Sequence, residues 1–285
     1  MKLSSFAVPE RWSTVVRRTY VDVLDDHCLG LAAELAFYFL LGLFPALIFL
    51  VALVSVMPVE HVLDQWFTTI RPFAPPEVLP LVQTQIEELA GGQHSGLLTV
   101  GLVGAIWSSS AAMTAIISTL NRAYDLTESR AWWKARLLAV LLTIAFALFL
   151  ITASVLLLAG RPLFAWVGGW FGWSAAAVAA WTYLRWPFIA FVVVLGIDLI
   201  YHFAPNRRTE WVWLTPGSLL ATALWFGASL AFKGYIATVG GFNATYGAIG
   251  TIVVLMLWLY LSGLALLIGA ELNAEIDREF RTRAG

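Results

Sequence analysis

Residues 246–273 read YGAIGTIVVLMLWLYLSGLALLIGAELN, an apolar run whose single formal charge is Glu271 near its end. About 20 mostly apolar residues in a helix suffice to cross the hydrocarbon core of a bilayer. Outward from this run, five more of the kind occur at roughly 30–57, 97–121, 136–160, 181–204 and 212–233. The composition agrees: 60% of the 285 residues are hydrophobic and 12% are charged, and the mean hydropathy is +0.80. A soluble domain carries about 25% charged residues. Half that leaves too little polar surface to cover a water-soluble body, so lipid must be the missing solvent. The expected fold is all-α: a polytopic bundle of six transmembrane helices occupying 30–273 as one membrane domain.

Charge sets the direction of the spans. The stretch 137–204 could hold two long spans or three short ones, and the positive-inside bias decides between them. With six spans and both ends in the cytoplasm, the inner segments hold Lys2, Arg11, Arg17, Arg18, Arg122, Arg130, Lys134, Arg136, Arg207, Arg208, Arg278, Arg281 and Arg283. Only Arg71, Arg161, Arg185 and Lys233 remain outside. A seventh span would move Arg207, Arg208 and the C-terminal arginines to the outer face. Trp166, Trp170, Trp173 and Trp181 then fall at the outer interface, where indole is half buried and its N–H finds a partner. No cleavable signal peptide is expected, because the first 28 residues are mixed polar and the first apolar run is too long.

Beyond the short connections, three segments lie outside the spans. In the N-terminal segment 1–29, Trp12, Val15, Val16, Thr19, Tyr20, Val23 and Leu24 recur with helical spacing, while Arg17, Arg18, Asp22 and Asp25 face away. Such a helix either lies in the cytoplasmic interface or packs on the ends of the bundle. The external connection 58–96 carries an apolar stripe of Val59, Val62, Leu63, Trp66, Phe67 and Ile70, then a Pro-rich break at Pro72–Pro76. It reads as a two-helix cap that gates a cavity or seals the bundle. Residues 274–285 form a cytoplasmic tail.

Ionisable groups inside spans are functional candidates by default, with a paired structural role as the alternative. Glu34, Asp198 and Glu271 each lie within about two turns of the cytoplasmic end of a span. Together with Asn121, Arg122 and Asn273 they outline a candidate polar cavity or ion-pair cluster opening inward. The second span adds Ser108, Ser109, Ser110, Thr114 and Ser118, which suit a close helix crossing or a polar path. Pro45 is a candidate kink. Gly247, Gly250 and Tyr260 are candidate packing positions in the last span. Cys28 is the one cysteine, which excludes intramolecular disulfides and thiolate zinc clusters. No metal site or cofactor is expected. The net charge of −1 offers no basic face for nucleic acid.

Several segments resemble the YihY/virulence factor BrkB family of bacterial inner-membrane proteins. They are Ala32–Tyr38 running on to Pro45, Asn121–Asp125 with Glu128 and Arg130, Phe203–Asn206, Pro216-Gly217, Tyr246-Gly247, Trp258–Tyr260 and Gly269–Asn273. Their order spans nearly the whole chain. The resemblance implies a multi-pass protein of the bacterial cytoplasmic membrane with six helices, and it carries over no activity. An old ribonuclease label attached to some members is not expected to apply. His27, His61, His94 and His202 are scattered, no His/Asp cluster is spaced to activate water, and the inner loops are too short for a nuclease domain. No enzyme is expected. The leading expectation is a transporter or lipid-handling protein with a cytoplasm-facing polar cavity, whose partners are membrane lipids and a lipid or small-solute substrate. The alternative is a non-transporting scaffold for envelope proteins. Homo-oligomers are compatible with either.

Overall fold

The structure is a computed structural model that describes residues 12–56, 95–158, 169–170, 175–207, 213–238 and 242–284. Among these residues seven helices follow in order: α1 (Trp12–Asp25), α2 (Cys28–Val56), α3 (Ser95–Ala123), α4 (Trp132–Leu158), α5 (Ala175–Phe203), α6 (Pro216–Thr238) and α7 (Phe242–Ala284). Among the described residues there is no strand, and their regular structure is all helical. The segments Trp132–Phe149, Pro216–Ile236 and Ile252–Phe280 are each long and apolar enough to cross a membrane. A bent pair, α1 with Cys28–Phe44 of α2 at 63°, makes a fourth candidate. The expected cap at 58–96 falls outside the described residues up to position 94. Trp166, Trp173 and Arg208 also fall outside them, as do the side chain of Pro45 and the surroundings of Gly247.

The long helices form where the sequence offers runs rich in Leu, Ala, Val, Ile and Phe. α4 is apolar on every side, and Leu137, Leu141, Ile144 and Leu148 are all exposed, Leu148 by 60%. A helix that is hydrophobic all round belongs in a membrane or a large core. Here the surroundings that those side chains require are lipid. Pro187 lies inside α5, a position soluble helices avoid and membrane helices tolerate.

Helix ends carry local signals. Asp125 closes α3 with φ 51°. The Leu126 N–H bonds the Asn121 carbonyl at 2.7 Å and the Asp125 N–H bonds the Arg122 carbonyl at 2.9 Å, which is the Schellman pattern. His27 takes φ 54° at the corner between α1 and α2. Thr215 caps α6: its hydroxyl accepts from the Ser218 N–H at 3.2 Å, and Pro216 occupies the first helical position, where its missing N–H costs nothing.

The chain forms two compact units. One comprises Met1–Leu40, Ala112–Leu142 and Phe191–Gly285, and the other comprises Leu41–Ala111 and Thr143–Ala190. In the second unit, the Ser109 hydroxyl donates to the Gly42 carbonyl at 3.5 Å, so part of the hydroxyl run of α3 serves a crossing with α2. In the first unit α7 is the central element. Its buried face runs through Leu267, Ala270, Glu271 and Ala274. It packs most extensively on α6, where Gly217 faces Gly269 so closely that a Cβ on either would strike the other's carbonyl oxygen. Small residues allow this approach, and close packing is the main source of cohesion between helices in lipid. Gly250 is buried, and Tyr260 packs half-buried against the core. Trp225 and Trp258, 6.2 Å apart, donate their indole N–H groups to Ser262 and Ser229 respectively.

α1 also packs on α7. Val15 is buried with Leu272 and Ile276, while Val16, Tyr20 and Leu24 stay exposed on an adjoining edge. Asp22, read from periodicity as facing away, instead receives a hydrogen bond from Arg278 at 2.7 Å.

Candidate functional site

Polar side chains gather at one end of the first unit, and they form two assemblies of different character. The first is built at the start of α6. Asp198 on α5 is 2% exposed, and its Oδ1 accepts from the Thr215 hydroxyl at 2.6 Å and from the Thr215 N–H at 3.3 Å. Asn273 on α7 donates through Nδ2 to the Thr215 hydroxyl at 2.9 Å and accepts the Gly217 N–H on Oδ1 at 2.8 Å. Three elements therefore converge on the open N–H groups of α6. A carboxylate beside a helix N-terminus is stabilised by the helix dipole, and Asp198 sits there. Leu214, just before the cap, holds φ 58°, a conformation that is costly for a bulky residue.

The second assembly joins the turn after α3 to the segment after α5. Asn121 donates to Glu128 at 3.0 Å and accepts the Asn206 N–H at 2.6 Å. Arg130 grips Glu128 in two-pronged fashion at 2.8 and 2.7 Å and reaches the Ala204 carbonyl at 2.9 Å. The Arg130 hydrogen bonds hold the Glu128 carboxyl below its ordinary range. Arg207 pairs with Asp277 and lies 3.9 Å from the Tyr124 ring centroid. Arg278 collects Asp22, Asp125 and Glu275, tying α1, the α3 turn and α7 to one guanidinium.

A cavity of about 500 Å³ opens beside this assembly. Thr114, Ile117, Ser118, Asn121 and Arg122 line one side along α3, Asp125 to Glu128 form a second wall, and Asp26 and Ala135 complete it. Thr114 receives a hydrogen bond from Arg136 at 3.2 Å. Arg122, like Arg18 beside Glu275, has only a loose ion pair. Its side chain is 50% exposed, and its nearest acid is Asp26 at 4.0 Å, beyond hydrogen-bond range. Burial and the neighbouring Asp125 push the Asp26 carboxyl above its ordinary value.

The structure brings some expected site residues together and separates others. Asn121 and Arg122 line the cavity, whereas Asp198 and Asn273 meet at the α6 cap. The three carboxylates Glu34, Asp198 and Glu271 share no partner. Glu271 is wholly buried on α7 and accepts from the Cys28 thiol at 3.4 Å on Oε1, and its Oε2 has no hydrogen-bond partner among the described residues. Glu34 is exposed. Its neighbour Leu35 takes the side of α2 that meets Gly263, and one residue turns a helix by about 100°, so Glu34 points elsewhere. Similar depth in the sequence did not mean a common face.

Sequence reasoning missed Asp26, Asp125, Thr215, Asp277 and Arg278 as members of this region. The available signal was their position within a few residues of the ends of the apolar runs. Among the described residues no group of three or more His, Cys, Asp or Glu side chains could hold a metal ion.

Comparison with known proteins adds the following. The profile of the family described as virulence factor BrkB matches residues 19–285. A Bacillus subtilis protein named putative ribonuclease-like protein YfkH is 36% identical over 247 residues, which cover 87% of this chain and 89% of that one. A UPF0761 membrane protein of Alkalilimnicola ehrlichii is 29% identical over 86% of this chain and 54% of its own length. Another UPF0761 membrane protein, from Aeromonas salmonicida, is 28% identical over 87% of this chain and 84% of its own. The chain thus spans most of some relatives and about half of others. No solved structure matches it.

Proposed function

Because this chain belongs to the virulence factor BrkB family of membrane proteins, we propose that it handles a lipid or small solute at the cavity beside α3, as a transporter or lipid-handling protein of the bacterial cytoplasmic membrane. The observation that carries the reading is that cavity of about 500 Å³ with Arg122 on its wall, uncommitted to any hydrogen bond among the described residues. Cavities of roughly 300–1,000 Å³ with a few convergent polar groups are the usual form of a small-molecule site. Thr114, Ser118 and Arg122 follow at i, i+4 and i+8, so one edge of α3 presents two hydroxyls and a guanidinium to the opening.

We read α2 to α7 as six spans with both ends inside. Support comes from the thirteen basic residues assigned to inner segments and from the paired charges of the inner turns, Glu128 with Arg130 and Arg207 with Asp277. In this reading the cavity faces the cytoplasm. The ion pairs around Arg278 are a latch that holds the inner ends of the helices together. Asp198 belongs to the α6 cap and not to a substrate path. The protein is read as non-enzymatic, on the scattered histidines and the short inner loops.

Native mass spectrometry of the full-length protein released from mild detergent tests this. A discrete lipid or solute is expected to remain bound to the wild type and to be lost when Ser118→Trp fills the cavity. A protein that carries nothing, or retains its ligand equally in that variant, would refute the reading. A scaffold role is the second reading, favoured by the exposed edge of α1 with Val16, Tyr20 and Leu24. Capture of a stoichiometric envelope protein that is lost in Val16→Glu/Tyr20→Glu would favour it.

A further inference from the structure

We propose that the α3 cavity recognises a zwitterionic headgroup in which a phosphate and a primary ammonium are joined by a short link, the phosphate on Arg122 and the ammonium on Asp26. This rests on the reading of the cavity as a binding site and names the chemistry of its ligand.

The argument starts from the charge balance of the lining. Of the three acids there, Glu128 is engaged by Arg130 at hydrogen-bond distance, and Asp125 is engaged by Arg278. Both are neutralised by cations that do not themselves line the cavity. Asp26 and Arg122 remain, and they are 4.0 Å apart with no hydrogen bond joining them. No described hydrogen bond engages the Asp26 carboxylate or the Arg122 guanidinium through any other partner. The cavity therefore presents one anion and one cation side by side, loosely ion-paired at 4.0 Å and not hydrogen-bonded to each other.

A purely anionic ligand would satisfy Arg122 and set its charge against Asp26. Asp26 is already crowded by Asp125, and its carboxyl is displaced upward by burial and by that neighbour. A purely cationic ligand would meet the converse opposition from Arg122. A ligand carrying both charges at short separation gives each residue an opposite partner. Arginine is suited to the phosphate because its planar fork of donors matches phosphate geometry. Asn121 does not compete, since its amide is committed to Glu128 and Asn206. Ser118 and Thr114, one and two turns from Arg122 on the same wall, supply hydroxyls for linker or ester oxygens.

The lining also selects between kinds of ammonium. Among the described residues it contains no aromatic side chain, and quaternary ammonium groups are recognised by aromatic cages. A carboxylate without aromatic neighbours favours a primary ammonium, whose N–H groups donate hydrogen bonds.

The test uses the full-length protein in detergent and native mass spectrometry with four probes: dioctanoyl phosphatidylethanolamine, dioctanoyl phosphatidylglycerol, dioctanoyl phosphatidylcholine and soluble phosphoethanolamine. The wild type is expected to retain the ethanolamine lipid roughly tenfold better than the other two lipids, the size of one charge-assisted contact. Asp26→Asn should erase that preference without weakening phosphatidylglycerol. Arg122→Gln should weaken all phosphate ligands, with Arg122→Lys partly restoring them. Thermal unfolding of each variant separates loss of binding from loss of fold. Displacement of the lipid by phosphoethanolamine would support the headgroup chemistry and assign the ligand to a soluble source, whereas no displacement would assign it to lipid. Equal retention of the three lipids, unchanged in Asp26→Asn, would overturn the zwitterion and leave the binding cavity standing. Retention unchanged even in Ser118→Trp would remove the cavity itself.

Discussion

Asp198 and Asp26 are both carboxylates beside helix ends in the same compact unit, and their circumstances are opposite. Asp198 is 2% exposed and accepts the Thr215 hydroxyl at 2.6 Å at the start of α6. Asp26 lies at the mouth of an open cavity with its nearest cation 4.0 Å away. The first is held on Oδ1 by groups the fold itself supplies, while its Oδ2 has no hydrogen-bond partner among the described residues. The second lines an open cavity, where Arg122 approaches it without a hydrogen bond. Polar groups whose partners are built in hold a structure together, and those left without partners in a cavity are the ones available to a ligand.

The sharpest way to break the contrast is at the crossing beneath the α6 cap. Gly269→Val should be the most damaging change, because even a Cβ there would strike the Gly217 carbonyl, the Tyr201 hydroxyl and Ala221. Overpacking costs about 1–3 kcal/mol and more where backbone is the obstacle. Loss of a monodisperse peak on size-exclusion chromatography is the expected readout, and a normal melting curve would show the crossing to be looser than described.

Thr215→Ala comes next. It removes the cap of α6 and the main donor to Asp198, a loss of about 2 kcal/mol visible as a lowered melting temperature. If Thr215→Ala melts like wild type, the cap is not what orders this end of the protein.

A smaller, pH-dependent effect belongs to Glu128. Arg130 holds its carboxyl below the ordinary value of 4.5. A depressed carboxylate stabilises the fold above its unfolded value, and that contribution fades as pH falls through the folded one. Wild type should therefore lose melting temperature below about pH 4.5 more steeply than Glu128→Gln. Parallel pH profiles for the two would exclude the Glu128–Arg130 pair as a source of stability.

The least effect on stability is expected at the cavity. Arg122→Gln, at an exposed position, and Asp26→Asn, at a half-buried one with no described hydrogen bond, should each stay within about 0.5 kcal/mol of wild type. The sign for Asp26→Asn is toward greater stability at neutral pH. A carboxyl raised on folding resists ionisation, so stability declines as pH rises through its range. A large destabilisation by either variant would move this pair from the binding group to the structural one.

Much of the molecule was legible from local pattern. The apolar runs lie on long helices, α1 stands where its periodicity placed it, and the glycine of Gly269–Asn273 marks a close crossing. Asn121 and Arg122 were singled out as polar residues at the inner end of a run, and both line the cavity. Glu34, Asp198 and Glu271 were read at a shared depth, and the structure leaves Glu34 exposed, sets Asp198 at the α6 cap and buries Glu271 on α7. Thr215 escaped attention because a capping residue is small and ordinary until the helix it caps is seen. Arg278 escaped because its three acids come from residues 22, 125 and 275, which no sequence window contains.

Membrane residence and the helical elements follow from the chain alone, because hydropathy, run length and capping chemistry are properties of neighbouring residues. The choice of which charges meet belongs to the tertiary structure. Each residue turns a helix by about 100°, so a partner across a crossing depends on rotation and register that the packing of Gly217 on Gly269 and Leu35 on Gly263 imposes. That packing buried Glu271, set Asp198 beneath α6, turned Glu34 outward and left Arg122 facing open space.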